Sequence, residues 1–164
     1  MSQKLKEKSL SPEVQAAALG GRTPAPALRV SDLDDRLRRV LQAAAEKKAI
    51  EPTVLDLRGI STFTDFFVMF TGANRRQVQA ISDEIVEQLK RHGNPAARVE
   101  GYQNAEWILI DYGDFVVHVF DEKARRFYDL ERLWREAGRL DVSPDQIGTG
   151  VASLNSGSGS LREE

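Results

Sequence analysis

Residues 107–120, WILIDYGDFVVHVF, give the strongest indication of how this chain folds. Two short apolar runs, 107–111 and 114–120, flank Tyr112 and Gly113, and two residues are enough for a hairpin turn. We therefore predict an antiparallel pair of strands at this point. The residues expected to face each other across it are Asp111 and Asp114, Leu109 and Val116, and Trp107 and His118.

Side chains alternate between the two faces of such a hairpin. One face is purely apolar and is predicted to be core; it carries Ile108, Ile110, Phe115, Val117 and Val119. The other face mixes apolar residues with an indole and an imidazole and is edged by acids; it carries Trp107, Leu109, Val116, His118, Phe120, Asp111 and Asp114. An apolar face that holds a tryptophan and is rimmed by charge is typical of a protein–protein interface. A helix covering this second face, with Trp107 as ordinary core, is the alternative.

Working outward from the hairpin, hydrophobic periodicity predicts the remaining elements. Helical spacing predicts helices at residues 33–48, 75–92 and 130–137. Strands are expected at residues 53–57, 65–71 and 98–100. The resulting order, α-β-β-α-β-β-β-α, predicts a single α/β domain with a mixed parallel and antiparallel sheet.

Composition sets the limits of this domain. The chain has 164 residues, 41% of them hydrophobic, and a formal net charge of −2. We expect a flexible basic arm at residues 1–31, the domain at 32–138, and a disordered Gly/Ser-rich tail at 139–164. No apolar run approaches the roughly 18 residues of a membrane span. The absence of cysteine excludes disulfides, thiolate metal sites and cysteine nucleophiles.

Carboxylates at predicted strand ends, with Gly72 between a strand and a helix, hint weakly at nucleotidyl transfer. Such a site needs two acids alternating on one strand so that both reach the metals. The acids that follow Gly72 are Asp83 and Glu84, neighbours on a helix whose side chains diverge by about 100°. The two histidines, His92 and His118, are too far apart in sequence to suggest a metal site. No catalytic, cofactor or metal residue is therefore predicted.

A series of short motifs, in order and at matching spacings, resembles the ribosomal silencing factor family, also called Iojap-like. The main matches are DLRG at 56–59, STFTDFFV at 61–68, DYGD at 111–114, VHVF at 117–120 and RRFYDLERLW at 125–134. With the first helix, the resemblance covers about 105 of the 164 residues. It does not extend to either terminal segment.

The resemblance implies a non-enzymatic bacterial translation factor, and we expect no cofactor. The family also has mitochondrial and plastid members, but Glu7 and Glu13 interrupt the basic arm, which is atypical of a transit peptide, so we expect a cytoplasmic protein. Members of the family bind the large ribosomal subunit through ribosomal protein L-fourteen. They block joining with the small subunit sterically, which lowers translation when nutrients are scarce. The implied fold resembles a nucleotidyltransferase without its catalytic carboxylates.

On this interpretation, the second hairpin face becomes the docking surface. Trp107 is the expected anchor, Leu109 and Val116 surround it, and Tyr128 is a second aromatic anchor. The expected polar rim consists of His118, Asp111 and Asp114. A homodimer through the sheet surface is compatible with the sequence when no ribosome is present.

Two alternatives stay open. The first is an assembly factor that contacts ribosomal RNA phosphates through two basic pairs, Arg75-Arg76 and Arg125-Arg126. Each of these pairs is otherwise expected to be a solvated surface. The second, less favoured, is a metal-dependent nucleotidyltransferase.

Overall fold

The computed structural model describes residues 27–147, which form one six-stranded mixed sheet with helices on both faces. A 3₁₀ turn at Val30–Asp32 precedes the first helix. In chain order the other elements are α1 Asp35–Glu46, β1 Ile50–Asp56, β2 Phe66–Gly72, α2 Arg75–Arg91, β3 Arg98–Glu100, β4 Trp107–Asp111, β5 Phe115–Asp121, α3 Glu122–Tyr128, α4 Leu130–Leu133 and β6 Gly138–Asp141. The predicted α/β class with a mixed sheet is confirmed. No helix among the described residues is both long and apolar enough to cross a membrane.

The strand order is β3-β4-β5-β2-β1-β6. Only β2 and β5 run parallel among these pairs, and the other neighbours are antiparallel. In the chain, α2 comes after β2 and before β5. Parallel neighbouring strands such as these need a long crossover connection, which usually contains a helix. Six of the seven residues of β2 are buried, which explains why its sequence is apolar on both faces.

The hairpin between β4 and β5 turns at Gly113-Asp114, so the predicted turn at Tyr112-Gly113 is wrong. Tyr112 N–H donates to the Phe115 carbonyl at 3.0 Å, and Trp107 lies opposite Phe120 instead of His118. Gly113 has φ +91°, which suits the first position of a type II′ turn, a position that tyrosine disfavours. The register moves by two residues, an even number, so the side chains within the two strands keep their predicted faces, whereas Asp114 now lies in the turn.

The first face forms the core, as the alternation of residues along the hairpin predicted. Its five hairpin residues are at most 1% exposed. They pack in one cluster with the apolar stripes of both long helices, which include Leu37, Val40, Leu41, Val78, Ile81, Ile85 and Leu89. Helix α1 begins after Asp34, whose side chain accepts from Leu37 N–H at 3.0 Å, so the predicted start at residue 33 is two residues early.

The second face is covered by two short helices, α3 and α4, where sequence periodicity predicts a single helix at 130–137. Asp121 caps α3 by accepting from Ala124 N–H at 2.7 Å, and Asp129, at φ 47°, separates the two helices. Helix α3 has no apolar stripe because one of its two buried residues is Arg125. Its sequence therefore lacks the helical signal.

The folded domain extends beyond both predicted limits, residues 32 and 138. Leu28 is 6% exposed and belongs to the first-face core. Beyond residue 138, β6 pairs with β1 and brings Leu140 and Val142 into the same core. A four-residue edge strand with one buried residue carries little periodic signal. Residues 1–26 and 148–164, which hold most of the predicted arm and tail, lie outside the described residues.

Candidate docking surface

The helices α3 and α4 leave part of the second face accessible along β4. Four side chains form this region, which we call the open strip: Trp107 and Leu109 on β4, and Phe127 and Tyr128 on α3. Trp107, Leu109 and Tyr128 are half-buried, and Phe127 is 73% exposed. From the sequence, the second face could be either exposed or covered by a helix. The structure shows that α3 and α4 cover it only in part.

The Trp107 indole is in contact with three rings, those of Tyr128, Phe120 and His118. It lies 4.5 Å from Tyr128 and 5.2 Å from Phe120 between centroids, and the Phe120 ring is stacked on it. Its Nε1–H donates to His118 Nδ1 at 2.9 Å. The indole is therefore fixed in orientation before any partner arrives, which lowers the entropy that docking loses.

A series of ring contacts ends at two exposed phenylalanines, Phe127 and Phe63. Neither was predicted from the sequence as a site residue. Phe127 meets Tyr128 edge-on at 4.9 Å, and Phe63, 48% exposed, lies 6.4 Å from Phe67. The rings in order are Phe127, Tyr128, Trp107, His118, Phe67 and Phe63. The only sequence signal for Phe127 was its position beside Tyr128 in RRFY, because α3 itself was not predicted.

His118 is not part of a polar rim, contrary to the sequence prediction. Its side chain is fully buried beneath Trp107, and Val116 is buried beside it at 8% exposure. Burial, together with the positive charge of Arg125, lowers the pKa of His118 to about 3, so the ring is neutral. Alternation along β5 indicated the correct face, but the depth of each side chain depends on where α3 and α4 pack.

The two predicted rim acids lie away from Trp107. Asp111 is four residues along β4, about 13 Å distant, and its carboxylate accepts from Gly113 N–H at 2.8 Å. Asp114 binds both guanidinium nitrogens of Arg36 at 2.6 and 3.1 Å, which ties the hairpin turn to α1 on the opposite face. Asp114 therefore does not belong to a polar rim around Trp107, and that prediction is wrong. Asp111 borders only the end of the open strip that is farthest from Trp107.

The charged border of the strip comes from β3 instead. Register places Glu100 opposite Leu109 and Arg98 opposite Asp111, and cross-strand partners share a face. Arg98 pairs with Glu100 at 3.2 Å and with Asp111 at 3.4 Å. Apolar rings with a charged edge correspond to the core and rim of an ordinary protein interface.

Arg125 is a structural residue, and its predicted place on a solvated basic surface is wrong. Its side chain is 7% exposed. It donates to the Glu131 carboxylate, the Glu51 carbonyl, and the hydroxyls of Thr53 and Thr71, with most distances between 2.9 and 3.0 Å. These bonds clamp α3 and α4 onto β1 and β2. The RNA-binding alternative thereby loses one of its four cations, while Arg75, Arg76 and Arg126 are exposed.

The weak hints of nucleotidyl transfer have structural explanations. Arg58 binds the Asp56 carboxylate at 2.7 and 2.9 Å. A Cβ on Gly72 would lie 2.9 Å from Val78 Cγ2 and 3.0 Å from Val78 N, so this glycine allows α2 to start close against β2. Within residues 27–147, no three histidine or acidic side chains are placed to hold a metal ion. The expected absence of a cofactor stays a prediction.

The chain is similar to known proteins in both sequence and fold. A family model described as "Ribosomal silencing factor during starvation" matches residues 30–157. The chain is 41% identical over 106 residues to the ribosomal silencing factor of Halalkalibacterium halodurans, covering 65% of this chain and 91% of that protein. It is 40% identical over 106 residues to that of Bacillus subtilis, covering 65% and 90%. A crystal structure of a Chromobacterium violaceum protein matches with TM-score 0.60 and 29% identity, covering 66% of this chain and 88% of the other.

Proposed function

Because this chain belongs to the ribosomal silencing factor family, we propose that it binds the large ribosomal subunit through ribosomal protein L-fourteen and blocks joining with the small subunit. The observation that carries the proposal is the open strip, in which half-buried and exposed rings lie next to the charged edge of β3. The proposed site of action is the bacterial cytoplasm.

The strip has the physical features that a protein-docking surface needs. Its rings are large and apolar, they are held by neighbouring rings, and one of them, Phe127, is 73% exposed. A standard interface buries on the order of 800 Å² per partner, with a few aromatic anchors contributing most of the binding energy. The strip with the adjacent β3 edge supplies an anchor region and part of a rim of this kind.

The proposed mechanism is steric and needs no chemistry. A bound domain occupies volume that the small subunit requires for joining, so the two bind the large subunit in competition. Inhibition of joining then depends on occupancy of the large subunit alone. We accordingly propose that the protein is not an enzyme.

Gradient sedimentation tests the proposal directly. Addition of the full chain to separated subunits should lower the yield of joined ribosomes, and the protein should move with the large subunit. A matched addition of the Trp107→Ala variant should restore much of the joining. Undiminished joining at saturating wild-type protein would refute the proposal.

Two variants separate docking from folding. Truncation of an interface tryptophan typically costs about 2 kcal/mol of binding or more, so Trp107→Ala should weaken association with the large subunit strongly. Val117→Ala opens a cavity in the first-face core and should lower the melting temperature while its folded fraction binds normally. Thermal melts and co-sedimentation of both variants give the comparison. Normal binding by folded Trp107→Ala would contradict the assignment of the strip.

A further inference from the structure

A side-chain hydrogen bond joins Trp107 on β4 to His118 on β5. The two residues are diagonal neighbours, since Leu109 lies directly opposite His118. The Trp107 indole N–H donates to His118 Nδ1 at 2.9 Å, while His118 is 0% exposed. An indole N–H that is turned inward loses contact with water, and it requires an acceptor from the protein.

This acceptor fixes the tautomer of His118. Because Nδ1 accepts, the ring proton resides on Nε2. In the described part of the chain, Nε2 is buried and has no hydrogen-bond partner; the Phe67 ring lies edge-on at 4.4 Å between centroids. A buried unpaired donor costs stability. A leucine at this position would avoid that cost but would leave the inward Trp107 N–H without its acceptor, so the feature that only the imidazole supplies is the bond to Trp107.

We propose that His118 is a positioning residue for the docking surface: its Nδ1 holds the Trp107 indole in the one orientation that presents an apolar ring edge to the partner. The inference rests on the proposed function. It also defines the chemistry of the partner at this point, because the only polar atom of the indole is already bound inside. The partner should present apolar side-chain atoms to Trp107 and no hydrogen-bond acceptor.

Two substitutions at position 118 separate the acceptor from the volume. His118→Asn keeps an acceptor oxygen near the position of Nδ1, whereas His118→Leu fills similar space with no acceptor. The chain has two tryptophans, so a ¹⁵N-labelled sample gives two indole N–H signals, and Trp134→Phe assigns them. Cooperative melting of both position-118 variants is verified first.

We expect His118→Leu to shift the Trp107 indole signal and to speed its hydrogen exchange. We also expect it to weaken association with the large subunit by about tenfold, the factor that corresponds to one hydrogen bond of ordinary net strength. His118→Asn should keep both properties near the wild-type values. This rescue is not expected from a residue that merely fills the core.

Two results would overturn the inference: His118→Leu with unchanged indole exchange and binding, or equal loss of binding in both variants while both are folded. Failure of the wild-type chain to sediment with the large subunit is a different result and refutes the proposed function instead. In that case, the indole exchange rate in His118→Leu still decides whether His118 positions Trp107.

Discussion

The two faces of the sheet are built on different principles. The first face is closed by α1 and α2, two long helices whose buried side chains are apolar apart from Ser82. The second face is covered by α3 and α4, of seven and four residues, and it buries His118, Thr53, Thr71 and Arg125 together with its apolar side chains. Half-buried rings border both faces among the described residues, but those of the second face, Trp107 and Tyr128, continue into the exposed ring of Phe127. The second face has an accessible surface because the helices that cover it are short.

Short helices need a specific tether. Helices of four to seven residues are not stable by themselves in water, so α3 and α4 depend on tertiary contacts. The first face obtains such contacts from broad apolar stripes. On the second face, the Arg125 clamp joins α3 and α4 to β1 and β2 by directional bonds. The stability of the second face should therefore depend on a few polar groups, whereas that of the first face depends on apolar packing.

Breaking the clamp should have the largest effect. Arg125→Met leaves the half-buried Glu131 carboxylate and two threonine hydroxyls without their donor, which typically costs about 3–5 kcal/mol. Urea denaturation of wild type and variant measures the loss in free energy of unfolding. The double variant Arg125→Met/Glu131→Leu should recover part of it, because no carboxylate is then left unpaired. A loss below about 1 kcal/mol would show that apolar contacts alone hold α3 and α4.

Acid should destabilise the second face through His118. Burial lowers its pKa from the ordinary 6.5 to about 3, so between these pH values the unfolded chain binds a proton that the folded chain excludes. Stability from this group is complete above pH 6.5 and falls as the pH decreases. Between pH 7 and 5 the expected loss is about 2 kcal/mol. The free energy of unfolding of His118→Asn should lack this component, and parallel pH profiles for the two proteins would contradict the prediction.

The smallest expected effect on folding concerns Phe127. Because this side chain is 73% exposed, Phe127→Ala should change the free energy of unfolding by less than about 0.5 kcal/mol. It should still weaken association with the large subunit by about 1 kcal/mol. Val99→Ala is a matched control, since Val99 is 40% exposed and lies opposite Ile110 on the first face. Equal binding by both variants would remove Phe127 from the docking surface.

Local pattern predicted the faces of the hairpin better than its register. The predicted pairing of Trp107 with His118 was wrong by two residues, yet the five first-face residues were all buried as expected. Period-two alternation is insensitive to an even shift. Residues 75–91 were likewise predicted as a helix within one residue, because their apolar stripe repeats over four turns.

The candidate site was only partly predictable. Trp107, Leu109 and Tyr128 lie together as expected, and their role in docking stays a prediction. His118 and Val116 turned out to be buried, and Asp114 binds Arg36 on the other side of the sheet. Alternation tells which side of a sheet a residue occupies, but it carries no information on what covers that side.

Residue order alone was enough to indicate the α/β class, the apolar core face and the family, since all three depend on local periodicity or on motifs in order. Tertiary structure alone decided which part of the second face stays accessible. That outcome depends on Arg125, whose bonds reach Glu51, Thr53 and Thr71, between 54 and 74 residues away in the chain. Contacts of such separation leave no periodic trace in a sequence, because each partner looks locally like an ordinary polar residue.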